Sequence, residues 1–157
     1  MTGHPSSGWG EGSDVAPINP ELARLRLFCL LNGVLLFCFG VMLAVLRLLG
    51  VFLFDVPVAA PLLAQEMLCA VSMVVLAVQL LRARGPIARD PAVPGSAARA
   101  ARRTRTVALV IAAICAAGML VVLLLPIAES AALTVMLTVF VIVFGYLTDV
   151  AMAKASR

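Results

Sequence analysis

The sequence predicts an all-α integral membrane protein whose four transmembrane helices pack as two antiparallel hairpins, with both termini on the cytoplasmic side. Three observations predict it. Apolar residues make up 63% of the chain and charged residues 13%, where a soluble domain averages about 45–50% and about 25%. The mean hydropathy of +1.11 means more apolar surface than a chain of this length can bury in its own core, so lipid must cover the remainder. Lastly, seven arginines and one aspartate fall between Arg82 and Arg105, with two long apolar stretches before that segment and two after it. Short loops rich in Lys and Arg stay on the cytoplasmic side of a membrane.

Residues 1–23 hold Gly, Pro, Ser, Asp and Glu without an apolar period and read as a disordered cytoplasmic tail. They lack the basic start and immediate apolar run of a secretory signal. Residues 24–157 then form a four-helix transmembrane domain. The first span covers about 25–46, flanked by Arg24, Arg26 and Arg47. About 20 apolar residues at a rise of 1.5 Å cross the roughly 30 Å of hydrocarbon. Past Arg47 the apolar run Val51 to Phe54 is too short to cross again. It reads as an interfacial piece or a prolonged helix end, broken near Gly50, with Arg47 snorkelling to the headgroups.

The second span covers about 60–81, with Pro61 in the first turn, where its missing N–H costs nothing. A basic cytoplasmic loop follows over 82–105. Gly85, Pro86, Pro91, Pro94 and Gly95 break its first half, and Ser96 to Arg105 can extend the next span as a basic surface helix. The third and fourth spans cover about 106–125 and 131–150. The connection from Pro126 to Ser130 is short enough to force them into a hairpin. The connection between spans one and two holds Arg47 against Asp55, and the later turn holds only Glu129. The remaining positive charge lies at the N-terminal flank, the central loop and the C-terminus. That distribution predicts both termini inside, in the plasma (inner) membrane.

The net charge of +4 follows from topology and does not call for nucleic acid as a partner. The cysteines Cys29, Cys38, Cys69 and Cys115 all lie in apolar stretches, without a C-x-x-C and with His4 as the sole histidine. No metal site or cofactor is expected from them, and they read as small hydrophobes. Phosphate-loop, H-E-x-x-H and G-x-S-x-G patterns are missing. Enzyme chemistry needs several convergent polar groups, and none is expected here.

The polar residues inside the spans are the candidates for function, because a charge at the bilayer centre costs about 2.5 kcal/mol or more. Glu66 lies about two turns into span two. A membrane carboxyl that gains and loses a proton is the core of a proton- or cation-coupled transporter; the alternative role is a hydrogen-bonding anchor between helices. Thr134 and Thr138 enter from the same outer side, and Arg47 is a prospective ion-pair partner. Asn32 in span one is expected to bond across helices as packing glue. Tyr146 fits an aromatic belt, and Asp149 is placed to face headgroup water or pair with a basic-loop arginine. Gly33 and Gly40 share one face of span one, while Ala112-x-x-x-Ala116 and Ala113-x-x-x-Ala117 offer small-residue contacts on span three. Arg82, Arg84, Arg99, Arg102, Arg103 and Arg105 are topogenic or hold lipid headgroups, including anionic ones. The expected role is a non-catalytic accessory or interaction subunit of a membrane assembly, with other subunits or copies of itself as partners. The alternative is a small oligomeric transporter or channel that uses Glu66.

Overall fold

The computed structural model describes residues 20–54, 58–89, 95–125 and 131–155. They form helices α1 (Pro20–Leu53), α2 (Ala60–Arg89), α3 (Ser96–Leu123) and α4 (Ala132–Ala155). Each is long and apolar enough to cross a membrane, with a mean hydropathy of 1.9 to 2.8 over its most apolar window. Even α4, with 24 residues, extends about 36 Å, more than the hydrocarbon thickness. These are the dimensions of a membrane protein.

The helices outrun the predicted spans. Residues 1–19 of the expected tail lie outside the described residues, but Pro20 to Ala23 already form the first turn of α1. Pro20 sits where a missing N–H is harmless, and Glu21 faces the positive end of the helix dipole. At the other end α1 does not break near Gly50 and runs on to Leu53. A glycine costs a helix only about 1 kcal/mol relative to alanine, too little to stop one already propagated from Pro20. Similarly, α2 passes through Gly85 and Pro86 to Arg89, into the segment expected to be loop. Pro86 stands one turn from the helix end, so the intrahelical bond it removes is among the last. Its own carbonyl accepts from Ser96 Oγ at 2.7 Å, which ties the end of α2 to the start of α3. The short connection 126–130 lies outside the described residues.

Helix α2 is the hub. It packs against α1, α3 and α4, while α3 and α4 pack on each other and α1 has only a slender contact with α4. Burial follows that order. Half of the most apolar window of α2 is buried, against 11% for α1. The buried residues of α1 are Cys29, Gly33, Leu36 and Gly40, a single stripe at spacings of four and three. On α4 the buried Thr134, Thr138, Val141 and Thr148 form another. The contact between α1 and α4 is made by rings, with Phe39 and Phe140 centroids 5.7 Å apart.

Glycines set how closely the helices approach. A Cβ at Gly40 would meet the Ala70 carbonyl oxygen at 2.9 Å and Met73 Cβ at 3.1 Å; one at Gly33 would meet Leu81 Cγ at 2.9 Å. The expected glycine face of α1 is therefore the α2 contact. On α3 the small residues divide. Ala112 meets the α4 backbone near Gly145, whereas Ala113, Ala116 and Ala117 are exposed.

These contacts rank three substitutions. Gly40→Ala pushes a methyl against fixed backbone and is expected to destabilise by about 1–3 kcal/mol. Gly33→Ala meets the movable Leu81 side chain and costs less. Gly50→Ala enters open space and is neutral or stabilising by up to about 1 kcal/mol. Thermal unfolding followed by far-ultraviolet circular dichroism in one detergent reads the order; equal midpoints for the Gly40 and Gly50 variants would refute it.

Candidate functional site: an intramembrane polar seam

Gln65 and Glu66 are consecutive on α2. Neighbours on a helix point about 100° apart, so on the hub helix they face different partners.

Glu66 is 2% exposed. Its Oε1 accepts from Arg47 Nη2 of α1 at 2.7 Å and from Thr134 Oγ1 of α4 at 3.1 Å. The carboxylate thus joins three helices. Arg47 turns inward to it and does not snorkel, while remaining 25% exposed. The pairing offsets the cost of a lone charge in hydrocarbon. Glu66 Oε2 is buried and has no hydrogen-bond partner among the described residues.

Gln65, which sequence reasoning passed over, is the second anchor. Its Nε2 donates to the Cys115 carbonyl of α3 at 2.9 Å and to Thr138 Oγ1 of α4 at 3.2 Å. Room for its Oε1 comes from Gly118 of α3, where a Cβ would collide with it. Smaller groups extend the seam. Cys115 Sγ donates to Ser72 Oγ at 3.3 Å, and Cys69 Sγ lies 3.5 Å from Thr138 Oγ1. The Thr138 hydroxyl also donates to its own helix, at the Thr134 carbonyl, 2.8 Å away. The signal in the sequence was the spacing of Gln65, Cys69 and Ser72, at i, i+4 and i+7 on one helix face.

The expected cluster of Glu66, Asn32, Thr134 and Thr138 is thus only partly assembled. Thr134 reaches Glu66, and Thr138 serves Gln65 instead. Asn32 takes no part: its Nδ2 donates to the Phe28 carbonyl one turn back in α1, at 3.0 Å. A donor near the start of a span can satisfy itself locally, and this one does so.

At the far end of the bundle the six candidate arginines of the 82–105 segment separate. Arg105 Nε pairs with Asp149 Oδ1 at 2.6 Å. Arg82, Arg99 and Arg103 line one cavity between α2 and α3; Arg84 lines a smaller cleft with Arg26 of α1; Arg102 lines neither. Among the described residues no group of three or more His, Cys, Asp or Glu side chains is placed to hold a metal ion, and the four cysteines are free thiols.

No protein-family model, curated protein or solved structure matches this chain.

The seam makes two energetic predictions. Arg47→Ala leaves a buried carboxyl without its cation and is expected to cost roughly 3 kcal/mol, the low end for buried pairs because Arg47 keeps some water. Adding Glu66→Leu should recover most of that loss, and an additive double-mutant cycle in bicelles would show the pair uncoupled. Gln65→Leu removes bonds to two helices and should cost about 1–2 kcal/mol. Gly118→Ala should cost as much by displacing the same amide. Both are measured by the same unfolding assay, and wild-type stability in either variant would remove Gln65 from the seam.

Proposed function

We propose that the chain is a non-catalytic accessory or interaction subunit of a larger membrane assembly. In this reading its four helices span the plasma membrane as two antiparallel hairpins, with both termini on the cytoplasmic side. The orientation is supported by the concentration of arginine over 82–105, with Arg24 and Arg26 in the first turns of α1, Lys154 at the end of α4 and Arg157 at the end of the sequence. The hairpin arrangement is supported by contact order. Arg47, Gly40 and Gly33 meet Glu66, Ala70 and Ala77 in turn, and Arg105 and Ala108 meet Asp149 and Gly145.

The observation that carries the functional reading is where the interior polar groups are directed. Arg47, Glu66, Thr134, Gln65, Thr138 and the Cys115 carbonyl bond to one another across the helices. A catalytic or transport site directs such groups at a substrate path. Polar side chains spent on neighbouring helices hold a bundle in one arrangement. A rigid bundle with a mostly lipid-exposed helix α1 suits a subunit that docks or stabilises, either on other subunits or on copies of itself.

A second reading has one observation in its favour. Glu66 Oε2 is a buried, unpartnered carboxylate oxygen, the kind of atom that takes a proton or cation in a coupled transporter. Four helices hardly enclose a path alone, so this reading requires an oligomer.

Extraction from the native membrane in a lipid-retaining polymer, followed by mass determination, separates the two. The accessory reading expects a different chain in a fixed whole-number ratio. It is overturned by a homo-oligomer that carries proton or cation flux in liposomes and loses it in Glu66→Gln while keeping its assembly.

A further inference from the structure

Between the last turns of α2 and the first turns of α3 lies a cavity of about 480 Å³, a size typical of ligand sites. Gln79, Arg82 and Pro86 line it from α2, and Ser96, Arg99 and Arg103 from α3. Among the described residues no carboxylate lines it. Elsewhere in the bundle, Arg47 and Arg105 each face an acidic partner. Here Arg82 and Arg103 have no hydrogen-bond or ion-pair partner among the described residues, and Arg99 uses only its Nε, on the Gly95 carbonyl at 3.3 Å. Three guanidinium groups gathered with no counter-charge among the described residues repel one another, and an anion between them removes the repulsion. Guanidinium forks match the oxygens of a phosphate better than any other side chain does.

Depth narrows the ligand. The apolar stretch of α3, residues 106–125, is about as long as the hydrocarbon is thick, so Arg103 falls just beyond its edge. Arg82 likewise follows directly on the apolar stretch of α2. The cavity therefore stands at the level of lipid phosphates. Two turns deeper, Val75 stands seven residues from Arg82 and Val110 seven from Arg103; both are exposed, and the spacing keeps each on the face of its arginine. A ligand with its phosphate among the arginines can lay its tail along those valines.

We infer that this cavity is a binding site for a phosphate-bearing anionic ligand, and that the ligand is an anionic phospholipid with its headgroup phosphate held by Arg82, Arg99 and Arg103. The site requires only that the chain lie in a bilayer and is independent of the accessory reading. It also differs from general attraction of a basic loop to a charged surface, because it singles out three of the arginines and gives Arg84, Arg89 and Arg102 no part.

The test uses the full chain in mild detergent, with phosphatidylglycerol as the probe, phosphatidylcholine as the zwitterionic control and inorganic phosphate as the free anion. Bound lipid is counted by native mass spectrometry. The triple variant Arg82→Lys, Arg99→Lys, Arg103→Lys keeps the charge that orients the chain and loses the forks. Arg84→Lys, Arg89→Lys, Arg102→Lys makes the same chemical change at the same end of the bundle. Expected is a phosphatidylglycerol affinity that falls about tenfold in the first triple, the scale of one lost charged hydrogen bond, and stays within about twofold in the second. If the first triple fails to fold, the three single Arg→Lys variants carry the same comparison. Equal weakening in both triples overturns the site, as does phosphatidylcholine bound as tightly as phosphatidylglycerol. Inorganic phosphate raising the unfolding temperature while phosphatidylglycerol does not would overturn the lipid and assign the arginines to a soluble phosphate compound.

Discussion

A polar side chain in hydrocarbon must find its partner inside the protein, and Gln65 and Glu66 place two such side chains side by side on one helix. Successive residues on a helix point about 100° apart, so Glu66 turns to α1 and Gln65 to α3, while α4 reaches both. The partners they find are Arg47 from α1, the Cys115 carbonyl from α3 and the hydroxyls of Thr134 and Thr138 from α4. With these partners, α2 has to be touched by all the other helices at one level. The central position of α2 and the registers of its neighbours are consistent with that one requirement.

Apolar packing supplies the rest of the arrangement but little of its specificity. Lipid tails solvate leucine as well as another helix does, so close contact rather than water exclusion decides which faces meet. The α1–α2 contact is accordingly built on Gly33 and Gly40, and the α3–α4 contact on Gly145 against Ala108. Large side chains such as Leu31, Leu35, Phe52, Leu120 and Met136 are left exposed. On a soluble protein they would be a liability, and in a bilayer they are its solvated surface.

The two ends of the bundle treat charge differently for a physical reason. At one end Arg47 and Glu66 meet where water is scarce, and each needs the other. At the other, the ends of α2 and α3 run beyond their apolar stretches, and arginines at a headgroup level can stay charged without an internal acid. Among the described residues there, Arg105 is the one paired with an acid, Asp149. Arg82, Arg99 and Arg103 line the α2–α3 cavity and Arg84 the cleft beside Arg26.

The sequence by itself determined the solvent, the number of helices and their approximate limits, because apolar length against bilayer thickness is a one-dimensional constraint. It also singled out Glu66, Arg47 and Thr134, since any ionisable group in a span is costly wherever its neighbours lie, and it marked the Gly33–Gly40 face from spacing alone. It missed Gln65, whose importance rests on an open space at Gly118, 53 positions along the chain, and on a backbone carbonyl that every residue carries. It misassigned Asn32 because an amide's choice between its own helix and the next depends on which face the neighbour covers. The helices α1 and α2 run beyond the apolar spans read from the sequence, since one glycine costs a long helix little and a proline near a helix end removes only one of its last bonds. Which of six similar arginines share a cavity was likewise left to the tertiary structure, because that depends on how α2 and α3 are rotated against each other, and composition carries no information about rotation.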